Sequence, residues 1–444
     1  MESYRGSREA TVATGAAVVD IIRVRAATGR APLAPPASEP PLTTASRPTI
    51  DSVDVAGRTV LVRVDFNVPL ADGKITDDSR IVAALPTIRS ILDRNGACVL
   101  MSHLGRPAGT GHEAAFSLKP VGTRLAELLG RPVTVPGEGS VDDASAAAVE
   151  AIEPGEVVLL ENLRFHPGEK KADAGFAGKL AGYGHVYCQD AFGAAHRGDA
   201  SMVAVPNAMP EAPCVAGRLL EAELRYLADA IESPARPFVA VLGGAKISDK
   251  LGTIRHLAGR VDTLVVGGAM AFTLLRSMGH SVGRSLVEEA MVEEAGEIIA
   301  AVEATSTTLL LPTDFVCAAA PEAGVATTTC GRDIEGDLMG LDIGPESVAS
   351  FAAAVRDAKT VVWNGPMGLF EIPPFDTGTL AVAKAMIEST DAGGITVVGG
   401  GDTAAAVNDL GLASGFSHVS TGGGASLRML EGGPMPGVEA LDPR

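Results

Sequence analysis

Five arginines, Arg63, Arg80, Arg106, Arg164 and Arg197, stand in or just after the ends of apolar runs in an otherwise acidic chain. A guanidinium fork binds phosphate or carboxylate through two parallel hydrogen bonds, so five that converge would suit a small, highly charged anion. Asp65 and Asn67 in VDFNVP, His103 in SHLGRP and Asn162 in ENLRF stand at the same ends. A second set carries different chemistry. In VVGGGDTAAAV, residues 397–407, three glycines end an apolar run, and an acid and a hydroxyl follow where a helix would begin. Bare backbone lets N–H groups approach a ligand, and a helix N-terminus favours phosphate. An Asp facing phosphate repels it unless a divalent cation stands between them, which points to a magnesium nucleotide. Gly422–Gly424 ahead of a further helix would form a second nest of N–H donors. Lys246 and Lys250 in GGAKISDK follow Gly243 and Gly244 at a strand end; if that segment is helical they share one face and address adjacent phosphates. Taken singly, each arginine reads as a surface ion-pair partner and the lysines as a solvated pair; their company at strand ends favours a site.

The elements that must position these groups alternate regularly from Pro48 onward. Apolar runs rich in β-branched residues, among them TVLVRVDFNV, ACVLMSHLG and HVYCQDAFG, then PFVAVLGGAK, KTVVWNGPMG and ITVVGGGDT, are each followed by a short loop and a helical stretch. Continuous apolar strands alternating with helices predict parallel sheets covered on both faces, with ligands beyond the carboxyl ends of the strands. The first half brings arginines to those ends, the second glycines, lysines and acids. Between them CVAGRLLEAELRYLADAIE, residues 214–232, spaces Leu219, Leu220, Leu224, Leu227 and Ile231 as one long amphipathic helix. The expected organisation is an extension over 1–47, an anion-binding domain over 48–213, the joining helix 214–232, a nucleotide-binding domain over 233–430 and a tail over 431–444. The fold class expected is α/β, with two Rossmann-like three-layer α/β/α domains joined by the long helix and a hinge.

LVRVDFNVPL, DDSRI, MSHLGRP, LLENLRFHPGEK, DAFGAAHR, LGGAKISDK, VVGGAMAFTLL, WNGPMGLFE, GGGDTAAAV and STGGGASL occur in an order and spacing that resembles the phosphoglycerate kinase family over residues 48–440. The resemblance implies that Asp65, Phe66, Asn67, Arg80, His103, Leu104, Gly105, Arg106, Arg164 and Arg197 hold 3-phosphoglycerate or 1,3-bisphosphoglycerate. Arg80 would also reach the transferring phosphoryl group, as would Lys246, Gly423 and Gly424. Lys250, Gly400, Gly401, Asp402 and Thr403 would bind nucleotide phosphates, with Asp402 holding Mg2+. Gly267 and Gly268 would lie against adenine and Glu371 would bind the ribose. The implied reaction is transfer between 1,3-bisphosphoglycerate and MgADP, with domain closure before chemistry and the tail folded back on the first domain. Three departures stand out: Gly198 and Asp199 where the family reads Ala-His, Arg428 and Gly433 where it reads Glu and Lys, and Gln189 for Asn. They keep open a fold-retaining protein that has lost turnover.

Other classes are excluded by what the chain lacks. No G-x-x-x-x-G-K-[ST] occurs. GGGDTA satisfies a dinucleotide fingerprint through Gly399, Gly401 and Ala404, yet no acid follows the next strand, SHVSTGG, to take a ribose. A net charge of −18 argues against nucleic acid or an anionic membrane as partner. Five cysteines (98, 188, 214, 317 and 330) include no CxxC pair, which fits a reducing compartment. Residues 1–47 hold six Arg against four acids and the stretch PLAPPASEPP, a composition that reads as a disordered tail or, less readily, an import leader. The expectation is a cytoplasmic monomer whose partners are small molecules.

Overall fold

The computed structural model describes residues 47–442, so the expected extension lies outside the described residues apart from Arg47. Two parallel sheets carry the architecture. In the first, the spatial order is Val157–Leu159, Ala97–Met101, Thr59–Val64, Val186–Asp190 and Cys214–Ala216. In the second it is Thr308–Leu310, Thr263–Val266, Phe238–Leu242, Thr360–Asn364, Ile395–Gly399 and His418–Val419. Counted along the chain within each half, the strands run 3-2-1-4-5 and 3-2-1-4-5-6, the doubly wound order whose ligand crevice opens where the order reverses. In the first sheet that crevice lies at Val64 and Asp190, in the second at Leu242 and Asn364.

The strands are buried on both faces because alternate residues feed different cores. Along Thr59–Val64, Val60, Val62 and Val64 enter one apolar cluster while Leu61 enters another. Phe238, Ala240 and Leu242 face that second cluster as well, and Val239 and Val241 face a third. One core therefore runs from the first sheet to the second, and Leu220, Leu224, Leu227 and Ile231 are its bridge. A small antiparallel sheet of Thr328–Gly331, Asp314–Ala318 and Met339–Ile343 is attached to the second half.

The joining helix is shorter than its apolar spacing predicts. Cys214–Ala216 is an edge strand paired with Tyr187–Gln189, and Gly217 is extended, so the helix begins at Arg218. Three small apolar residues fit an edge strand as well as a first helical turn, and periodicity does not separate the two. The helix then passes through a π-bulge at Leu224–Ala228 before ending at Glu232. Asp190, at the end of its strand, caps it: Oδ1 accepts from the N–H groups of Leu219 and Leu220 at 2.9 and 3.2 Å. The last described residues return to the first half, where Gly437 N–H donates to Ala195 O, and Cys214 N–H to Asp442 Oδ2 at 2.8 Å.

Burial holds the Asp190 carboxyl up at about 7, against 3.8 in the unfolded chain, even though the helix N–H groups pull it down. Between those values the folded state binds the extra proton, so this group's contribution is full below about pH 4 and is lost as pH rises through about 7. Asp190→Asn, a neutral isostere, is expected to melt near wild type at pH 4 and above it at pH 8, by up to about 4 kcal/mol. Thermal melts at the two pH values check this; equal shifts at both would contradict it.

Candidate functional site

At the crevice of the first sheet the side chains hold one another in a network. Asp65, just past its strand, accepts from Arg80 Nη1 at 3.3 Å through Oδ2, and the same Nη1 donates to Asn67 O at 3.0 Å. Asn67 Oδ1 accepts from Gly105 N–H at 2.8 Å. Asn162 fixes the loop that carries His103, Gly105 and Arg106, because its Oδ1 accepts from Leu104 N–H and its Nδ2 donates to Leu104 O and Phe116 O. Phe66 and Leu104 are buried anchors whose N–H groups are taken by Ser102 and Asn162. Arg106 is exposed on the same loop.

His103 lies between two arginines, Nδ1 at 3.0 Å from Arg63 Nη2 and Nε2 at 3.3 Å from Arg197 Nη1. Burial and then the surrounding guanidinium groups, Arg63 first, drive its pKa well below the usual histidine range, so the ring is neutral. A neutral imidazole accepts at one nitrogen only. Arg63 is fully buried and fixed in place, with Nε donating to Ser201 Oγ at 2.9 Å and Nη1 to Val64 O, so its Nη2 is the donor that Nδ1 accepts. That leaves Arg197 with an N–H free for an anion. Arg63 is therefore a buried strut rather than a member of the ligand-facing cluster that its sequence position suggested.

Arg164 donates through Nη1 to Gly105 O at 2.8 Å and approaches Asp199 at 3.7 Å through Nη2. Burial and then Arg197 lower its pKa.

The second crevice is a cleft of about 330 Å3 whose walls include Gly243, Gly244, Lys246, Lys250, Asn364, Gly400, Gly401, Asp402, Thr403, Gly423 and Gly424. Glycine is required where backbones meet: a Cβ on Gly243 would come 2.2 Å from Pro366 O, and one on Gly365, at φ +102°, 2.1 Å from Gly243 O. Gly400, at φ +89°, turns the chain into the Gly401–Asp409 helix, which sets Asp402 exposed in its first turn. Thr403 is buried, and its Oγ1 accepts from Gly365 N–H at 2.6 Å, leaving its proton to donate. Lys250 Nζ donates to Asn364 Oδ1, and burial lowers its pKa. The Asn364 Nδ2 is buried with no hydrogen-bond partner among the described residues, a donor without an acceptor in the wall of the cleft.

The structure corrects one expectation here. Lys246 and Lys250 do not share a helix face, because residues 244–250 form turns and the helix starts at Leu251 with Lys250 as its cap. Both lysines still reach the cleft. Gly267 and Gly268 do not line it: Gly268 packs on the backbone of Gly244 and Pro366. Glu371 stands on an exposed turn outside it.

The two crevices meet. A Cβ on Gly193 would lie 2.5 Å from Asp65 Oδ2 and 3.7 Å from Gly422 Cα, and one on Gly422 would strike the Phe192 ring. The arginine-lined site and the glycine nest thus touch at one junction. Glu223, fully buried on the joining helix, secures the loop before that nest by accepting from Thr421 N–H at 2.9 Å, Thr421 Oγ1 at 3.0 Å and His418 Nε2 at 2.8 Å. Asn364, Glu223 and the Glu169–Ser201 pair beneath Arg63 were not anticipated from sequence. Their only signal there is a polar residue inside an apolar run or on a helix.

Comparison with known proteins gives concordant results. A family model described as Phosphoglycerate kinase matches residues 50–433. The phosphoglycerate kinase of Rhodopirellula baltica is 52% identical over 401 residues, covering 89% of this chain and 99% of that protein. That of Chloroherpeton thalassium is 50% identical, covering 88% and 98%. The solved structure of phosphoglycerate kinase from Coxiella burnetii superposes with a TM-score of 0.81 at 36% identity, covering 89% of this chain and 98% of that one. With two doubly wound sheets, facing crevices and a match of this extent, the chain belongs to the phosphoglycerate kinase family.

Proposed function

We propose that this chain catalyses reversible phosphoryl transfer between 1,3-bisphosphoglycerate and ADP, giving 3-phosphoglycerate and ATP. The observation that carries the reading is the junction at Gly193 and Gly422, which sets an arginine-lined anion site against a cleft of glycines and lysines. The phosphoglycerate belongs to the first sheet, on Asp65, Asn67, Arg80, His103, Gly105, Arg106, Arg164 and Arg197. The nucleotide phosphates belong to that of residues 233–430, on Lys250, Gly400, Gly401, Asp402 and Thr403. Gly267, Gly268 and Glu371 would serve the adenosine beyond the cleft. Closure is assigned to the π-bulged joining helix and the returning segment of 431–442.

A carboxylate acceptor is already a nucleophile, so the protein supplies no general base. Its work is positioning and the stabilisation of charge on the transferring group by Arg80, Lys246, Lys250 and the N–H groups of Gly423 and Gly424. Magnesium fits the residues present: among the described residues no group of three or more His, Cys, Asp or Glu could hold a metal, and of the two exposed carboxylates that line the cleft, Asp249 and Asp402, the latter stands in the first turn of the Gly401–Asp409 helix and suits an ion that arrives on phosphates. When bound it neutralises phosphate charge beside that carboxylate. Asp402→Ala is expected to raise the KM for MgATP by roughly tenfold or more and to shift the magnesium dependence upward, with the KM for 3-phosphoglycerate changed less. A coupled assay over a magnesium series checks this; equal effects on both substrates would contradict the assignment.

The site is complete within one chain, which supports a monomer. All five cysteines are free, which supports a reducing compartment such as the cytoplasm. No helix among the described residues is long and apolar enough to cross a membrane.

A further inference from the structure

Three buried polar atoms around the anion site have no hydrogen-bond partner among the described residues: Arg164 Nε, Asp199 Oδ2 and His196 Nδ1. Unmade hydrogen bonds are costly in a buried place, and three together mark a site arranged for something other than its own side chains. The closest opposite charges among them are Arg164 and Asp199, at 3.7 Å between Nη2 and Oδ2, near enough for attraction and too far for a hydrogen bond. Asp199 is only 9% exposed, and its carboxylate caps nothing: the following turn is bonded to its backbone carbonyl by Met202 and Val203 N–H. Arg80 and Arg197 stand with Arg164 and the buried Arg63 around His103, and Arg197 raises the cost of charge on Arg164. Asp65 and Glu169 are engaged with Arg80 and Ser201, so Asp199 is the carboxylate left to balance Arg164.

We propose that Asp199 is a specificity-determining residue, an internal counter-ion that an incoming phosphoglycerate must displace from Arg164. This rests on the assignment of the arginine-lined crevice to the phosphoglycerate. A ligand with one anionic group exchanges one partner of Arg164 for another and meets repulsion from the displaced carboxylate, so it gains little. A ligand that carries a phosphate and a carboxylate engages Arg164 together with a second arginine and retains a surplus. Asp199 thus discriminates against inorganic phosphate at the expense of affinity for the substrate.

The test compares wild type with Asp199→Asn, which keeps size and removes charge, and with Asp199→Ser in case the amide packs poorly. Inorganic phosphate binding is measured by calorimetry at fixed ionic strength, and KM values in the coupled assay. Both neutral variants are expected to bind inorganic phosphate about tenfold more tightly and to lower the KM for 3-phosphoglycerate by less, about two- to threefold, with the KM for MgATP as in wild type. Unchanged phosphate binding and KM in folded variants would overturn the proposal, as would a raised KM, which would make Asp199 a substrate ligand. Phosphate binding needs no turnover: tightening of phosphate binding in a chain that transfers nothing would support Asp199 as counter-ion and sink the kinase reading alone.

Discussion

Arg80→Ala is expected to lower kcat by roughly 10²–10³, with kcat/KM for 3-phosphoglycerate falling at least as far. Arg80 opens the Ser79–Asp93 helix, and one arm of its guanidinium is fixed by Asp65 Oδ2 and Asn67 O. The rest of the fork is free for a ligand beside Asp65, which is in turn next to the Gly193–Gly422 junction. A fixed cation there meets charge that develops only as the phosphoryl group leaves one oxygen for another, and its loss should appear in kcat rather than in binding alone. Steady-state kinetics in both directions measure this. A variant whose KM alone rises, with kcat intact, would reduce Arg80 to a ground-state anchor.

Arg63→Met is expected to destabilise the chain by about 3–5 kcal/mol, a larger loss than a surface arginine would give. The Arg63 side chain is fully buried and holds Ser201 Oγ, Val64 O and His103 Nδ1. Ser201 is bonded in turn to Glu169, which is also fully buried and whose carboxyl is pushed up by burial and pulled down chiefly by Arg63. Removing the cation leaves that carboxyl without its counter-charge and His103 without its support, whereas the methionine fills most of the stem's volume. Chemical denaturation with the midpoint and slope both recorded checks it. A loss under about 1 kcal/mol, the range of exposed pairs, would contradict the buried-strut role.

The parallel sheets were legible because each strand is an apolar run rich in Val and Leu that ends in glycines or polar residues, a signal that needs no partner to be seen. Asp402 was legible for the same reason, being an acid at a glycine-turned helix start. Arg63 was misread as ligand-facing because an arginine in TVLVRV announces charge but not direction. Its place inside the apolar run, where alternate residues all point into cores, was the available clue. Cys214–Ala216 was absorbed into a helix because three apolar residues have no period of their own, and its pairing with Tyr187–Gln189 is a contact made far along the chain. Lys246 and Lys250 suit a helix by spacing, yet the turns at residues 244–250 are dictated by Gly244, at φ +100°, and its backbone contacts. Glu223 and Asn364 were invisible because nothing local distinguishes a carboxylate that will meet Thr421 and His418, or an amide that will meet Lys250. The Gly193–Gly422 junction belongs to tertiary structure alone.

The central claim is that one junction brings the two substrates together for direct transfer. Its most direct test is to incubate the purified chain with MgATP and 3-phosphoglycerate in the presence of hydroxylamine and to quantify both ADP and the trapped acyl hydroxamate. Hydroxamate equal to the ADP released, formed only when both substrates are present and lost with Arg80→Ala, is the predicted result. ADP released without hydroxamate, or neither product from a well-folded chain that binds MgATP, would contradict it.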